Sequence, residues 1–243
     1  MCAPRPLPLP PLPPPSFAQV TARLQSAAQR AGRDRPPRLV AVSKTKPAAA
    51  LEAAYAAGQR DFGENYVQEI LDKAAALPAD IRWHFIGHLQ SNTAKALVEG
   101  VPGLAVVETV DSAKLASKLD AAVAAAGRPP LPVFLQVNTS GEETKHGAPP
   151  EGCAEVARHI AAACPHLRLA GLMTIGQPDY SSRPHNFTGL AECRRRVAAA
   201  AGVDEGSLEL SMGMSGDFEA ATEMGSTNVR VGSTIFGARE YPA

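Results

Sequence analysis

Arg38-Leu-Val-Ala-Val-Ser-Lys-Thr45 is apolar and β-branched, Ala48-Ala-Ala-Leu-Glu-Ala-Ala-Tyr-Ala-Ala57 is Ala-rich and closed by Gly58, and Asp61-Phe-Gly-Glu-Asn65 is again short and extended. Strand, helix, strand in this order implies parallel pairing, because parallel strands need a crossover and a helix is the usual one. The pattern recurs along the chain. Further strands are expected at 82–87, 104–110, 131–139, 167–176, 208–215 and 228–237. Helices are expected from about Tyr66 and near 92–99, 112–126, 151–163, 188–201 and 217–224. Eight strands with seven helices between them within about 200 residues predict a single (β/α)8 barrel. An open doubly wound sheet would place a Gly-rich fingerprint after its first strand, and Thr45-Lys46-Pro47 is not one.

One helix stands in front of the barrel. Ser16 and Gln19 read as a capping box, Phe17, Val20, Leu24, Ala27, Ala28 and Ala31 repeat at helical spacing, and Gly32 closes the run. This extra N-terminal helix is expected to take the ring place left after strand eight, which ends close to Ala243. Residues 1–15 hold eight prolines and read as a disordered or polyproline tail, leaving 16–243 as the barrel domain. Arg5, Pro8 and Pro11 have the spacing of an SH3 ligand, which so proline-rich a segment meets by chance.

Lys plus Arg and Asp plus Glu are each 24, so the 243-residue chain has no net charge. That balance speaks against nucleic-acid and polybasic membrane partners, and no apolar run reaches the roughly 18 residues of a membrane span. Cys2, Cys153, Cys164 and Cys193 lack metal or disulfide spacing and read as thiols of a reducing, cytoplasmic setting. The Asn138 and Asn186 triplets read as chance glycosylation matches. His84 and His88 span a strand end and lack zinc-site context. Met212 and Met214 read as packing residues.

Barrel enzymes and binders collect their chemistry at the carboxyl ends of the strands. Val40, Val42 and Lys44 alternate onto one face, so an interior-facing strand aims Lys44 at the mouth of the core. Lost hydration and the neighbouring Lys46 both favour a neutral amine, able to condense with an aldehyde as a Schiff base. A surface lysine pair is the other reading. Ser215-Gly216 and Gly232-Ser233 follow strands seven and eight, the usual phosphate position of this fold, with Ser215 as a cap for a helix from Asp217. Plain turn chemistry is the other reading. Arg230 sits in an otherwise apolar strand and needs a partner: a carboxylate such as Glu64 or Glu209, or a ligand ring nitrogen.

Six blocks carry a resemblance: Leu39–Pro47, Phe62–Glu69, Trp83–Gln90, Gly171–Ile175, Leu210–Ser215 and Arg230–Gly237. Together they resemble the pyridoxal phosphate homeostasis protein family, in its eukaryotic form. The resemblance implies a barrel like the N-terminal domain of alanine racemase. It implies pyridoxal 5'-phosphate on Lys44, Asn65 beside it, its phosphate at Ser215, Gly232 and Ser233, and Arg230 at the ring nitrogen. It also implies a carrier or buffer that serves apo-enzymes using the cofactor. Racemases of this type add a C-terminal domain and a second base, which this chain is expected to lack. A racemase or lyase is the alternative function. A closed barrel has no free sheet edge, so a monomer is expected.

Overall fold

The computed structural model describes residues 15–142, 144–176 and 184–237. Most of the proline-rich segment, with Cys2 and the Arg5, Pro8, Pro11 spacing, falls outside these residues.

Helix α1 (Pro15–Arg30) leads into eight strands: β1 (Arg38–Val42), β2 (Asp61–Glu64), β3 (Arg82–Phe85), β4 (Leu104–Val110), β5 (Leu131–Gln136), β6 (Leu167–Met173), β7 (Glu209–Ser211) and β8 (Asn228–Val231). Between them run α2 (Ala48–Ala56), α3 (Val67–Ala76), α4 (Ala94–Gly100), α5 (Ala113–Ala125), α6 (Cys153–Ala163), α7 (His185–Ala201) and α8 (Phe218–Glu223); a single turn, α9 (Ser233–Phe236), follows β8. The strands pair in sequence order as a closed barrel. All pairs are parallel, and β8 returns to β1 with Val40 opposite Arg230. The predicted (β/α)8 barrel is therefore the observed fold.

Local chemistry sets the element ends. Ser112 caps α5 by accepting the Leu115 N–H at 3.3 Å, and Gly202 stops α7 at φ 69, a conformation glycine takes without cost. Three expectations are corrected. Ser16 lies inside α1, which starts one residue earlier at Pro15, and its hydroxyl donates to the Ile235 carbonyl at 2.9 Å instead of capping. Strand eight ends at Val231, because the Gly232 carbonyl accepts the Ile235 and Phe236 N–H groups and starts a helical turn. Strand seven is three residues long. Its expected extension to Ser215 is broken at Gly213, whose φ of 97 turns the chain.

Alternation divides the strand residues between two cores. Ala41, Phe62, Trp83, Phe85 and Val107 point outward and join a large cluster under the helices. Val106, Phe134, Ala170 and Met173 form a small separate cluster inside the barrel. Helix α1 closes the ring as expected. Val20 and Leu24 are buried in the outer core, Arg23 reaches Glu219 at 2.6 Å, and Arg30 reaches Glu223 at 2.7 Å. Among the described residues no helix is long and apolar enough to cross a membrane.

Candidate functional site

A cavity of about 290 Å³ opens at the carboxyl ends of the strands, and Lys44, Asn65, Ser215, Arg230, Gly232 and Ser233 all line it. The structure thus brings together every residue singled out for a site. The strand expected to run to Thr45 ends at Val42, so Lys44 enters the lining beside Val42 from the turn after β1, and Lys46 joins them from the same turn. Met214 also lines the cavity, whereas Met212 is buried in the core.

Two glycines permit the close approaches that shape this space. A Cβ on Gly87 would stand 1.9 Å from the Asn65 carbonyl oxygen, so the turn after β3 can support Asn65 only without a side chain. A Cβ on Gly232 would meet the Val42 carbonyl oxygen at 3.1 Å. Ser215 accepts the Gly232 N–H at 3.3 Å and therefore ties the turn after β7 to the turn after β8. This corrects its expected role as a helix cap. Asp217 precedes α8, and its carboxylate accepts the Met214 N–H at 2.6 Å.

Arg230 is 4% exposed and has neither of the carboxylate partners expected for it. Glu64 pairs with Lys73 at 2.6 Å, and Glu209 pairs with Arg38 at 2.6 Å. Instead Arg230 donates Nη1 to Ser211 Oγ at 2.5 Å and Nη2 to the Thr174 carbonyl at 2.7 Å. Ser211 in turn donates to Glu108 Oε2 at 2.5 Å, and Asn228 donates to Glu108 Oε1 at 2.9 Å. Burial pushes the Arg230 guanidinium down from its ordinary range, while the negative charges of Glu108 and Asp217 oppose that.

The charged chain continues across the barrel floor. His84 contacts Glu108 through Nδ1 at 2.6 Å and Asp61 through Nε2 at 3.2 Å. Burial works against a charged His84, yet its two carboxylate partners outweigh burial and raise it above the usual imidazole range. Asp61 is likewise opposed by burial. Hydrogen bonds from His84 and Arg82 prevail and hold its carboxyl down at about 2. These groups neutralise one another in a barrel interior where isolated charges would be costly. Among the described residues no group of three or more His, Cys, Asp or Glu side chains is arranged to hold a metal ion.

Sequence reasoning missed Glu108, although a signal was present. A carboxylate within Val106-Val-Glu-Thr-Val110 needs a partner for the same reason Arg230 does. It also missed Lys73 and Glu69, which look like ordinary surface charges of an amphipathic helix.

The family model for "Alanine racemase, N-terminal domain" matches residues 16–240. The pyridoxal phosphate homeostasis protein of Homo sapiens is 50% identical over 234 residues, spanning 91% of this chain and 85% of its own. That of Pseudomonas aeruginosa is 47% identical, spanning 94% of this chain and 96% of its own. Among solved structures, PipY of Synechococcus elongatus with PLP bound is 35% identical at a TM-score of 0.71, covering 90% of this chain and 100% of that one. Alanine racemase from Corynebacterium glutamicum, 16% identical at a TM-score of 0.67 over 92% of this chain and 61% of its own, shares the fold.

Proposed function

The chain belongs to the pyridoxal phosphate homeostasis protein family, and from that membership we propose that it binds pyridoxal 5'-phosphate reversibly through Lys44 and buffers or delivers it. The observation that carries the reading is the meeting of Lys44, Asn65, Ser215, Arg230, Gly232 and Ser233 around one cavity.

The donor set fits the cofactor. Ser215 and Ser233 offer hydroxyls, and Gly232 brings backbone close, on the two turns where barrels commonly hold phosphate. Arg230 supplies a fixed cation at the base of the cavity. Asn65 Oδ1 is buried with no hydrogen-bond partner, and a buried acceptor of this kind calls for a ligand or a water. When bound, the cofactor brings an aldehyde carbon that a neutral amine attacks with reversible loss of water.

Lys44 supplies that amine from the cavity wall. Arg230, held by Ser211 and the Thr174 carbonyl, orients the ring through a hydrogen bond, and a guanidinium does not readily give up its proton. The residues at this end of the site therefore favour holding the cofactor over making it a strong electron sink. Among the described lining residues, the titratable side chains are Lys44, Lys46 and Arg230. Among the described lining residues Lys46 is the one other amine beside Lys44, and positioned acid–base help is typically worth about 10²–10⁴-fold. This supports a carrier without efficient catalysis.

The recipients are apo-enzymes that use the same cofactor, and the protein acts as a cytoplasmic monomer. Free thiols at Cys153, Cys164 and Cys193 support a reducing compartment. The test is transfer. Loaded protein should activate an apo-enzyme that uses the cofactor, and Lys44→Ala protein should not. Rapid α-proton exchange of amino acids in deuterated water, lost in Lys44→Ala, would overturn the carrier reading in favour of a racemase or lyase.

A further inference from the structure

Both peptide groups beside Lys44 are held by charged side chains that lie outside the cavity lining. Lys73 of α3 is buried, and its Nζ donates to the Ser43 carbonyl at 2.8 Å, to Glu64 Oε1 at 2.6 Å and to Glu69 Oε2 at 3.1 Å. The Ser43 hydroxyl also donates to Glu64 Oε1, at 2.7 Å. On the other side of Lys44, the Thr45 N–H is shared by the two oxygens of Glu69, at 2.9 and 3.2 Å.

Thr45 has a φ of 61 and is the one non-glycine residue with positive φ among the described residues. That region is strongly disfavoured for a β-branched side chain, and such strain persists only where the surroundings over-determine it. A buried ion pair made for stability accounts for Lys73 with Glu64. It does not account for a second carboxylate spent on the N–H of a strained residue next to the cavity lysine.

We propose that Lys73, Glu64 and Glu69 are positioning residues that aim Lys44 into the cavity by fixing the peptide groups on both sides of it and holding Thr45 in its left-handed conformation. None of the three lines the cavity, so they act through the backbone. The inference rests on the reading of Lys44 as the cofactor-binding amine.

Glu69 is the residue to change. Its side chain is 30% exposed, whereas removing Lys73 would strand the fully buried Glu64. Full-length wild type, Glu69→Ala, Thr45→Gly/Glu69→Ala and Lys44→Ala are titrated with pyridoxal 5'-phosphate, reading absorption, and the melting temperature of each unloaded protein is recorded. Glu69→Ala should weaken loading about tenfold. The added glycine, which takes positive φ without help, should restore about threefold of that loss whichever way the melting temperature of the unloaded protein moves. Loading of Glu69→Ala at the wild-type level overturns the proposal while leaving Lys44 in place. A loss that the glycine does not relieve also overturns it, because Glu69 would then support only the fold. Equal loading of wild type and Lys44→Ala removes the underlying reading of Lys44, and this proposal with it.

Discussion

At Arg230 the barrel keeps a full positive charge almost out of water, and its neighbours show how. Ser211 is the hinge of the arrangement. Its one hydroxyl accepts hydrogen bonds from Arg230 and Asn228 and donates one to Glu108. Ser211→Ala removes three hydrogen bonds at once and leaves buried donors without acceptors, a loss of about 1–3 kcal/mol for each such group before relaxation. We expect this variant to unfold at clearly lower denaturant and to bind the cofactor about tenfold more weakly, since Arg230 loses its bracing. Unchanged binding by absorption titration would show that the Thr174 carbonyl suffices to hold the guanidinium. Arg230 itself was legible in the sequence, because a cation in an apolar strand demands an explanation. Its partner was not. Glu108 and Ser211 are 103 residues apart, and only barrel closure makes them neighbours.

Among the elements, β1, β2 and α3 form the unit that presents Lys44. The exit of β1 is tied to α3 by Lys73 and to β2 by Glu64, so three segments share one charge cluster. Burial pushes the Glu64 carboxyl up to about 7, against the opposing charge and hydrogen bond of Lys73. Its second oxygen has no hydrogen-bond partner. Because the folded protein holds this proton more tightly than the unfolded chain, the associated stability is full below the usual value of 4.5 and falls away as pH rises to about 7. Glu64→Gln should flatten stability across that window, as read from urea midpoints at a series of pH values. A wild type whose midpoint climbs between those pH values relative to the variant would contradict the assignment. Much of this unit was visible in sequence: β1, α2 and β2 followed from alternation and from helix spacing, although β1 ends at Val42 and Lys44 stands in the turn beyond it. Its clamp was hidden because Glu69 and Lys73, four residues apart on α3, normally mark a solvated helix face, and Glu64 stands apart from them at the end of β2. The ends of β7 and β8 were misplaced for a different reason. Gly213 and Gly232 act there as turn residues inside runs whose composition continues to favour strand.

For the whole molecule, the barrel separates a structural end from a binding end. The floor holds Arg82, Asp61, His84 and Glu108 in mutual neutralisation, while the mouth gathers Lys44, Asn65, Arg230 and the two serine–glycine turns. The order of eight strand–helix units is enough to gather those mouth residues, because the fold puts every strand's carboxyl end on one side. Helix α1 completes the ring from the front of the sequence, and its hydroxyl at Ser16 reaches α9 directly beyond the cavity-lining turn of β8. The central claim is that this mouth holds pyridoxal 5'-phosphate on Lys44. The most direct test is the absorption spectrum of purified protein before and after addition of the cofactor, with Lys44→Ala measured beside it. A long-wavelength band present in the wild type and missing from the variant is the predicted result. No band, or an equal band in both, would contradict the claim and leave the cavity to a different ligand.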